Sequence, residues 1–200
     1  NNGYIYYYVM LTKQFHRKHM SYNSDALFTT MNRNYDYLQL NFHFNYSFDK
    51  NRKSIYAYGS NSVSLPSIGQ LADITQTNNP LYIRKGNPHL KPQTYWWFNA
   101  NYRTRVDSID QHVTFGISGN IQHNAMSTAY TYDPATGVRT TWAENINGNW
   151  SMSGNIDYGR ALGEKKYWHI GASLSSSVGQ STDMSSVTSQ MVPERNRVTN

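Results

Sequence analysis

Residues 37–48 read YLQLNFHFNYSF, and this run constrains the fold more than any other part of the chain. Leu38, Leu40, Phe42, Phe44, Tyr46 and Phe48 alternate without interruption with Gln39, Asn41, His43, Asn45 and Ser47. A period of two places these sets on opposite faces of a β-strand. At about 3.3 Å per residue such a strand is roughly 33 Å long. Globular strands usually stop at about 5–6 residues, whereas a tilted strand that crosses a bilayer needs about 9–11.

The pattern recurs. Trp96, Phe98, Ala100 and Tyr102 alternate with Trp97, Asn99, Asn101 and Arg103, and Val113, Phe115, Ile117, Gly119 and Ile121 alternate with Thr114, Gly116, Ser118 and Asn120. Trp150, Met152, Gly154, Ile156 and Tyr158 alternate with Ser151, Ser153, Asn155 and Asp157. Trp168, Ile170, Ala172 and Leu174 alternate with His169, Gly171, Ser173 and Ser175. Residues 54–64 set Ile55 and Ala57 against Tyr56 and Tyr58, and 3–15 is apolar on both faces. About seven strands are predicted by this alternation, with no helix and with a polar, loop-like stretch from Gly179 onward.

The polar sets are neutral, built of Asn, Ser, Gln, Thr and His, where a soluble sheet would carry Lys and Glu. Only 15% of the chain is charged and 38% hydrophobic, while 14% is aromatic, with 17 Tyr and 5 Trp. Such usage argues against disorder, which is poor in aromatics, and suits a sheet with lipid on one side and water on the other. The fold expected is all-β, an antiparallel up-and-down transmembrane β-barrel of which this chain forms part. Its lipid-facing residues would be Leu38, Leu40, Phe42, Phe44, Phe98, Phe115, Ile117, Met152, Ile156, Ile170 and Leu174. Asn41, His43, Asn45, Asn99, Ser118, Asn120, Ser153 and Ser173 would face the lumen. A soluble carbohydrate-binding β-sandwich is the alternative.

Connections alternate short and long, as between the periplasmic and extracellular ends of a barrel. Residues 49–53, 104–110 and 162–166 are short; 65–93 is long and holds Pro66, Pro80, Pro88 and Pro92, and 125–144 carries the turn Asp133-Pro134-Ala135-Thr136-Gly137. Aromatics gather beside the short turns (Tyr46, Phe48, Tyr56, Tyr102, Tyr158, Tyr167, Trp168) and beside the long loops (Tyr35, Tyr37, Tyr95, Trp96, Trp142), which suggests two interfacial belts. The net charge of +6 comes from 18 basic against 12 acidic residues, and the basic ones sit in connections such as Arg52-Lys53 and Lys165-Lys166 rather than on one face, so a nucleic-acid partner is not expected.

Pro66-Ser67-Ile68-Gly69-Gln70-Leu71, then Asn79-Pro80-Leu81, then Gly86-Asn87-Pro88-His89-Leu90-Lys91-Pro92 resembles TonB-dependent outer-membrane receptors and the Bacteroidetes-type outer-membrane β-barrel family related to them. In that family a rising strand ends in a Pro-Ser/Asn segment, and an extracellular loop with Gly-Asn-Pro-x-Leu-Lys-Pro-Glu leads into a descending strand. Gln93 stands where the family usually has Glu. Pro66, Asn79, Pro80, Gly86, Asn87, Pro88, Leu90, Lys91 and Pro92 are therefore read as turn chemistry, with the prolines blocking pairing and Gly86 able to supply positive φ.

The resemblance implies that residues 1–200 are an internal segment of an outer-membrane barrel domain, with no plug, signal peptide or terminal strand visible in the sequence. It also implies uptake of a scarce substrate (glycan, peptide or metal chelate) through loops whose candidate contacts are Tyr82, Arg84, Lys85, His89, Tyr130, Tyr132, Arg139 and Trp142. Implied partners are membrane lipid and lipopolysaccharide, a TonB-type energy-transducing protein and a surface lipoprotein. A structural barrel that anchors a surface lipoprotein or secretion partner remains the second hypothesis.

No catalytic set, metal site or cofactor is expected. Cysteine is absent, no G-x-S-x-G elbow or phosphate loop occurs, and His16 and His19, spaced i,i+3, fall at a strand end running into loop. His43, His112 and His169 lie on the polar sets, where hydrogen bonding is the expected role.

Overall fold

The computed structural model describes residues 3–24, 27–187 and 190–199. Its strands are β1 (Tyr4–Ser24), β2 (Leu27–Phe48), β3 (Lys53–Ser64), β4 (Thr75–Asn79), β5 (Tyr82–Lys85), β6 (Gln93–Val106), β7 (Gln111–His123), β8 (Ala125–Asp133), β9 (Val138–Ile146), β10 (Asn149–Leu162), β11 (Trp168–Val187) and β12 (Gln190–Thr199). A single helical turn, α1 (Ile68–Leu71), and a 3-10 turn at Asp107–Ile109 correct the helix-free expectation.

Eight strands form one antiparallel sheet in the order β1-β2-β3-β6-β7-β10-β11-β12, and β4-β5-β9-β8 form a second, four-stranded sheet. The main sheet is an up-and-down meander that detours twice into the smaller one. Its edges, β1 and β12, do not pair with each other, so the sheet is open.

Eight strands rather than about seven follow from the segment after Gly179. Expected as loop, it continues β11 to Val187 and returns as β12, with Ser181 opposite Asn196 and Thr182 opposite Arg195. Ser and Thr carry no amphipathic signal there; the ladder of backbone hydrogen bonds holds the pair instead. β1 likewise runs past residue 15 to Ser24. His16 and His19 therefore lie within a strand and point to opposite faces, His16 Nε2 at 3.0 Å from the Tyr37 hydroxyl and His19 Nδ1 at 2.6 Å from Asn32 Oδ1.

Register keeps the two sequence sets apart across the whole sheet. One transverse row runs Val9, Phe42, Gly59, Phe98, Gly119, Met152 and Val178; the next runs Tyr7, Phe44, Ala57, Ala100, Ile117, Gly154 and Ser176. The residues predicted as lipid-facing all share this apolar face, and those predicted as lumen-facing all share the other. Leu40 is half-buried, and Phe115, Ile170 and Leu174 are exposed, so among the described residues no second layer covers the apolar face. Phe42 and Phe98 lie flat across glycines: a Cβ on Gly59 would come within 2.4 Å of the Phe42 ring, and one on Gly119 within 2.7 Å of the Phe98 ring.

The aromatic belts need correction. Tyr46, Phe48, Tyr102, Tyr158 and Trp168 do lie on the apolar face, as does Trp96, joined by Trp150. Tyr56, Tyr37, Tyr35 and Tyr95 belong to the polar face, and Trp142 to the small sheet. Closeness to a turn says nothing about strand parity, and parity decides which side a ring takes.

The short connections are ion-paired. Asp107 accepts from Arg52 at 3.2 Å and from Arg105 at 2.9 Å, linking two neighbouring turns. All three side chains are about half exposed, so these pairs are worth about 0–1 kcal/mol each. At the opposite end β3 leaves β2 after the Asn41–Ser60 pair. The buried carboxamide of Asn61 bridges the parting strands, accepting from Leu40 N at 2.6 Å and donating to Leu38 O at 2.9 Å. Beyond that point β2 pairs with β1 alone, and the two project as a tall hairpin.

Candidate functional site

The long connections fold over the polar face at one end of the sheet. Ser67 opens α1, its backbone N–H and hydroxyl both donating to Gln70 Oε1 at 2.9 and 3.0 Å. The helical turn drives Leu71 into a small apolar core with Leu90 and Met20, against which Met31, Ile68 and Ala143 pack. Met20 and Met31 are directly opposed on the polar-face side of β1 and β2. The motif's two leucines thus dock the loop onto the projecting hairpin, and Arg33 fastens it by donating to Pro88 O at 2.7 Å.

Asn87 is the centre of this arrangement. Its Nδ2 donates to Ala143 O at 3.0 Å and to Glu144 Oε2 at 3.3 Å, while its Oδ1 accepts from His89 N at 3.0 Å. Asn145 repeats the device from the other loop, accepting from Lys91 N at 2.7 Å and donating to Lys91 O at 3.1 Å. Gln93 Oε1 accepts from Met126 N at 3.0 Å, a bond for which an amide oxygen suffices and no carboxylate is needed. Gly86 is required for a reason other than the one expected. It is absent from the positive-φ glycines, Gly137, Gly148 and Gly163, but a Cβ on it would sit 1.6 Å from Ala72 O. Close approach of two backbones, not a left-handed turn, demands the glycine. Asn79 Oδ1 accepts from Leu81 N at 3.0 Å across Pro80, which turns β4 into β5.

This clamp builds the four-stranded sheet from two separate connections, with β5 running parallel to β9. Tyr82, Arg84, Tyr130, Tyr132 and Arg139 share one of its faces, where the Arg139 guanidinium stacks 4.2 Å from the Tyr130 ring centre. Trp142 takes the opposite parity and donates from Nε1 to Glu144 Oε2 at 3.2 Å. Tyr82, Arg84, Lys85 and Trp142 line a cavity of about 210 Å³ together with Gln70, Thr128 and Thr141. His89 lies away from it, exposed in the motif turn. Of the predicted loop contacts, the structure brings these four together and sets Tyr130, Tyr132 and Arg139 beside them. Arg33, Asn61, Glu144 and Asn145 were missed. Only Asn145 carries a signal in the sequence, within the Asn-rich run 143–149, since Asn residues between strands commonly serve turns.

The β8–β9 pair also leans on the far hairpin, Ser127 Oγ donating to Asp183 Oδ1 at 2.9 Å. The small sheet therefore spans from the β1–β2 hairpin to β11 above the polar face.

A sequential antiparallel sheet with one apolar face bounded by Trp96 and Trp150 at one end and Tyr158 at the other is the wall of a transmembrane β-barrel. Trp150 to Tyr158 covers about 26 Å along β10 at about 3.3 Å per residue, which at a tilt of about 40° matches most of an apolar band about 25 Å tall. The family model described as Outer membrane protein beta-barrel family matches residues 16–199, and the chain belongs to that family. It is an outer-membrane protein, and the sandwich alternative falls. Neither the curated proteins nor the solved structures give a match.

Proposed function

We propose that this chain is part of the wall of an outer-membrane receptor that takes up a scarce substrate, as in TonB-dependent transport, without converting it chemically. Support comes from the inward fold of the loops: the cavity formed by Tyr82, Arg84, Lys85 and Trp142 lies on the polar-face side of the sheet, where a solute would enter a lumen. The apolar face would meet lipid and, at the Trp96–Trp150 level, lipopolysaccharide. A TonB-type protein would drive release, and a surface lipoprotein could close over the loops.

The test is nutrient uptake by cells carrying the full-length protein with Arg84→Ala, Lys85→Ala and Trp142→Ala combined. Uptake of at least one nutrient should fall while the amount of folded barrel in the outer membrane stays constant. The second reading, an anchoring barrel, draws on the tall β1–β2 and β11–β12 hairpins, which offer long strands beyond the sheet. Unchanged uptake of every nutrient, with loss of a co-purifying surface protein, would favour it.

A further inference from the structure

The polar face is divided. Over β7, β10 and β11 it carries small hydroxyl and amide groups, with Ser118 and Ser153 hydroxyls 2.7 Å apart and Asn120 Nδ2 donating to Ser151 Oγ at 2.6 Å. Over β1, β2, β3 and β6 it carries a continuous cluster of rings. Tyr6 and Tyr8 meet His43 at 5.5 and 5.7 Å between ring centres, His43 meets Tyr56 at 4.9 Å, Tyr56 meets Tyr58 at 5.1 Å and Tyr58 meets Trp97 at 5.2 Å. Most of these contacts are edge-to-face or tilted, at 55–75° between planes. In an edge-to-face contact only one of the two rings has a face covered, where parallel stacking would cover a face of both. Tyr6 is still 52% exposed and Tyr8 44%.

Rings on a wetted wall leave apolar area in water, which a wall of Ser and Asn would avoid. Two adjoining cavities lie against them. One, of about 260 Å³, is lined by Tyr8, Asn41, His43, Tyr56, Tyr58 and Trp97. The other, of about 440 Å³, shares Tyr58 and Trp97 and is edged by Asn99, Ser118, Asn120 and Ser153. Across this zone the polar-face rows from Met10–Asn41 to Tyr6–Asn45, followed through β3, β6, β7, β10 and β11, contain no Asp, Glu, Lys or Arg. The nearest polar-face charges are Arg103 and Asp157 toward the short turns and, toward the loops, Asp183 on β11 and then Lys18 and Arg33 on the β1–β2 hairpin.

We propose that this ring cluster and its amide and hydroxyl border form a binding track for a neutral saccharide, deepening the uptake reading on which it rests. A pyranose has C–H groups on its faces and hydroxyls around its edge. The faces fit Tyr58 and Trp97, and the edge fits Asn99, Ser118, Asn120 and Ser153. An anionic glycan or a charged peptide would find no counter-charge in these rows. The basic Arg84 and Lys85 belong to the separate cavity at the mouth.

The full-length barrel in detergent is titrated calorimetrically with maltohexaose, cellohexaose and xylohexaose, and with tetragalacturonate and tetra-alanine as charged and peptide comparators. At least one neutral oligosaccharide should bind, and neither comparator should. Tyr58→Ala should weaken binding about three- to tenfold, the range set by one aromatic contact, while Tyr58→Phe stays within about twofold because the ring remains. Tyr46→Ala, on the apolar face, should leave binding unchanged. If Tyr58→Ala does not fold, Tyr58→Leu gives the same comparison with volume retained. Failure of every neutral oligosaccharide to bind, or binding indifferent to Tyr58, overturns the track. So does protection of the ring cluster from acrylamide quenching in the intact protein, because another segment then covers it. Binding of tetra-alanine to the rings overturns the saccharide and leaves uptake standing; wild-type uptake in the mouth variant overturns uptake and leaves the track.

Discussion

Removing the Asn87 carboxamide should loosen the loops without loosening the wall. In Asn87→Ala the protein loses the bonds to Ala143 O at 3.0 Å, to Glu144 Oε2 at 3.3 Å and from His89 N at 3.0 Å. A neutral hydrogen bond contributes about 0.5–1.5 kcal/mol net, and one to a carboxylate about 1.5–3; the 3.3 Å contact belongs at the low end. The half-buried site leaves Ala143 O partly open to water, so the summed loss is about 2–3 kcal/mol. Because these bonds tie the 86–92 loop to β9 of the small sheet, the loss falls on the local opening of that sheet. At 1.4 kcal/mol per factor of ten, amide hydrogen exchange in β5 and β9 should accelerate by about 30- to 150-fold. Exchange in β6, β7 and β10 should not change. Uniform acceleration across both sheets, or none in β5 and β9, would refute the idea that the motif is a clamp between two loops.

Two further outcomes follow from the same geometry. Ile117→Arg, in the middle of the apolar band between Ala100 and Gly154, should cost roughly 2–4 kcal/mol and reduce assembled barrel, whereas Ser118→Arg on the other face should assemble normally; heat-modifiable mobility of outer-membrane fractions reads both, and equal loss would count against the face assignment. The Thr136 hydroxyl at 2.7 Å, and then Ala135 N–H at 2.9 Å, hold the Asp133 carboxyl below its ordinary pKa. This turn at the β8–β9 tip is therefore supported above the unfolded carboxylate range, and the support is lost as pH falls through the lowered value. Thr136→Val should move the Asp133 titration upward in carboxyl NMR shifts, and an unmoved titration would show that the hydroxyl is not the main cause.

Alternation alone settled much of this protein. In β2, β6, β7, β10 and β11 the two alternating sets fall on opposite sides of one sheet throughout, because a one-residue slip would carry a whole apolar set to the polar side. The turn motif was also legible as structure: Leu71, Leu90 and Asn87 serve packing and hydrogen bonding. Where side chains carry no periodic signal, the sequence does not mark the strand. β12 was invisible because its hold on β11 is backbone pairing. The close approach that demands Gly86 is not legible either, since nothing in a linear chain reveals that Ala72 passes beside it.

Only the tertiary structure decided which loop residues meet. Parallel pairing of β5 with β9 brings Tyr82 opposite Arg139, residues far apart in the chain, and no local propensity encodes a contact between two loops. The same holds for the ring cluster, where Tyr8, His43, Tyr58 and Trp97 come from β1, β2, β3 and β6. Parity places each ring on the wetted face, but strand register determines that they touch. The sequence chose the sides of the wall; the pairing of its strands made the surfaces.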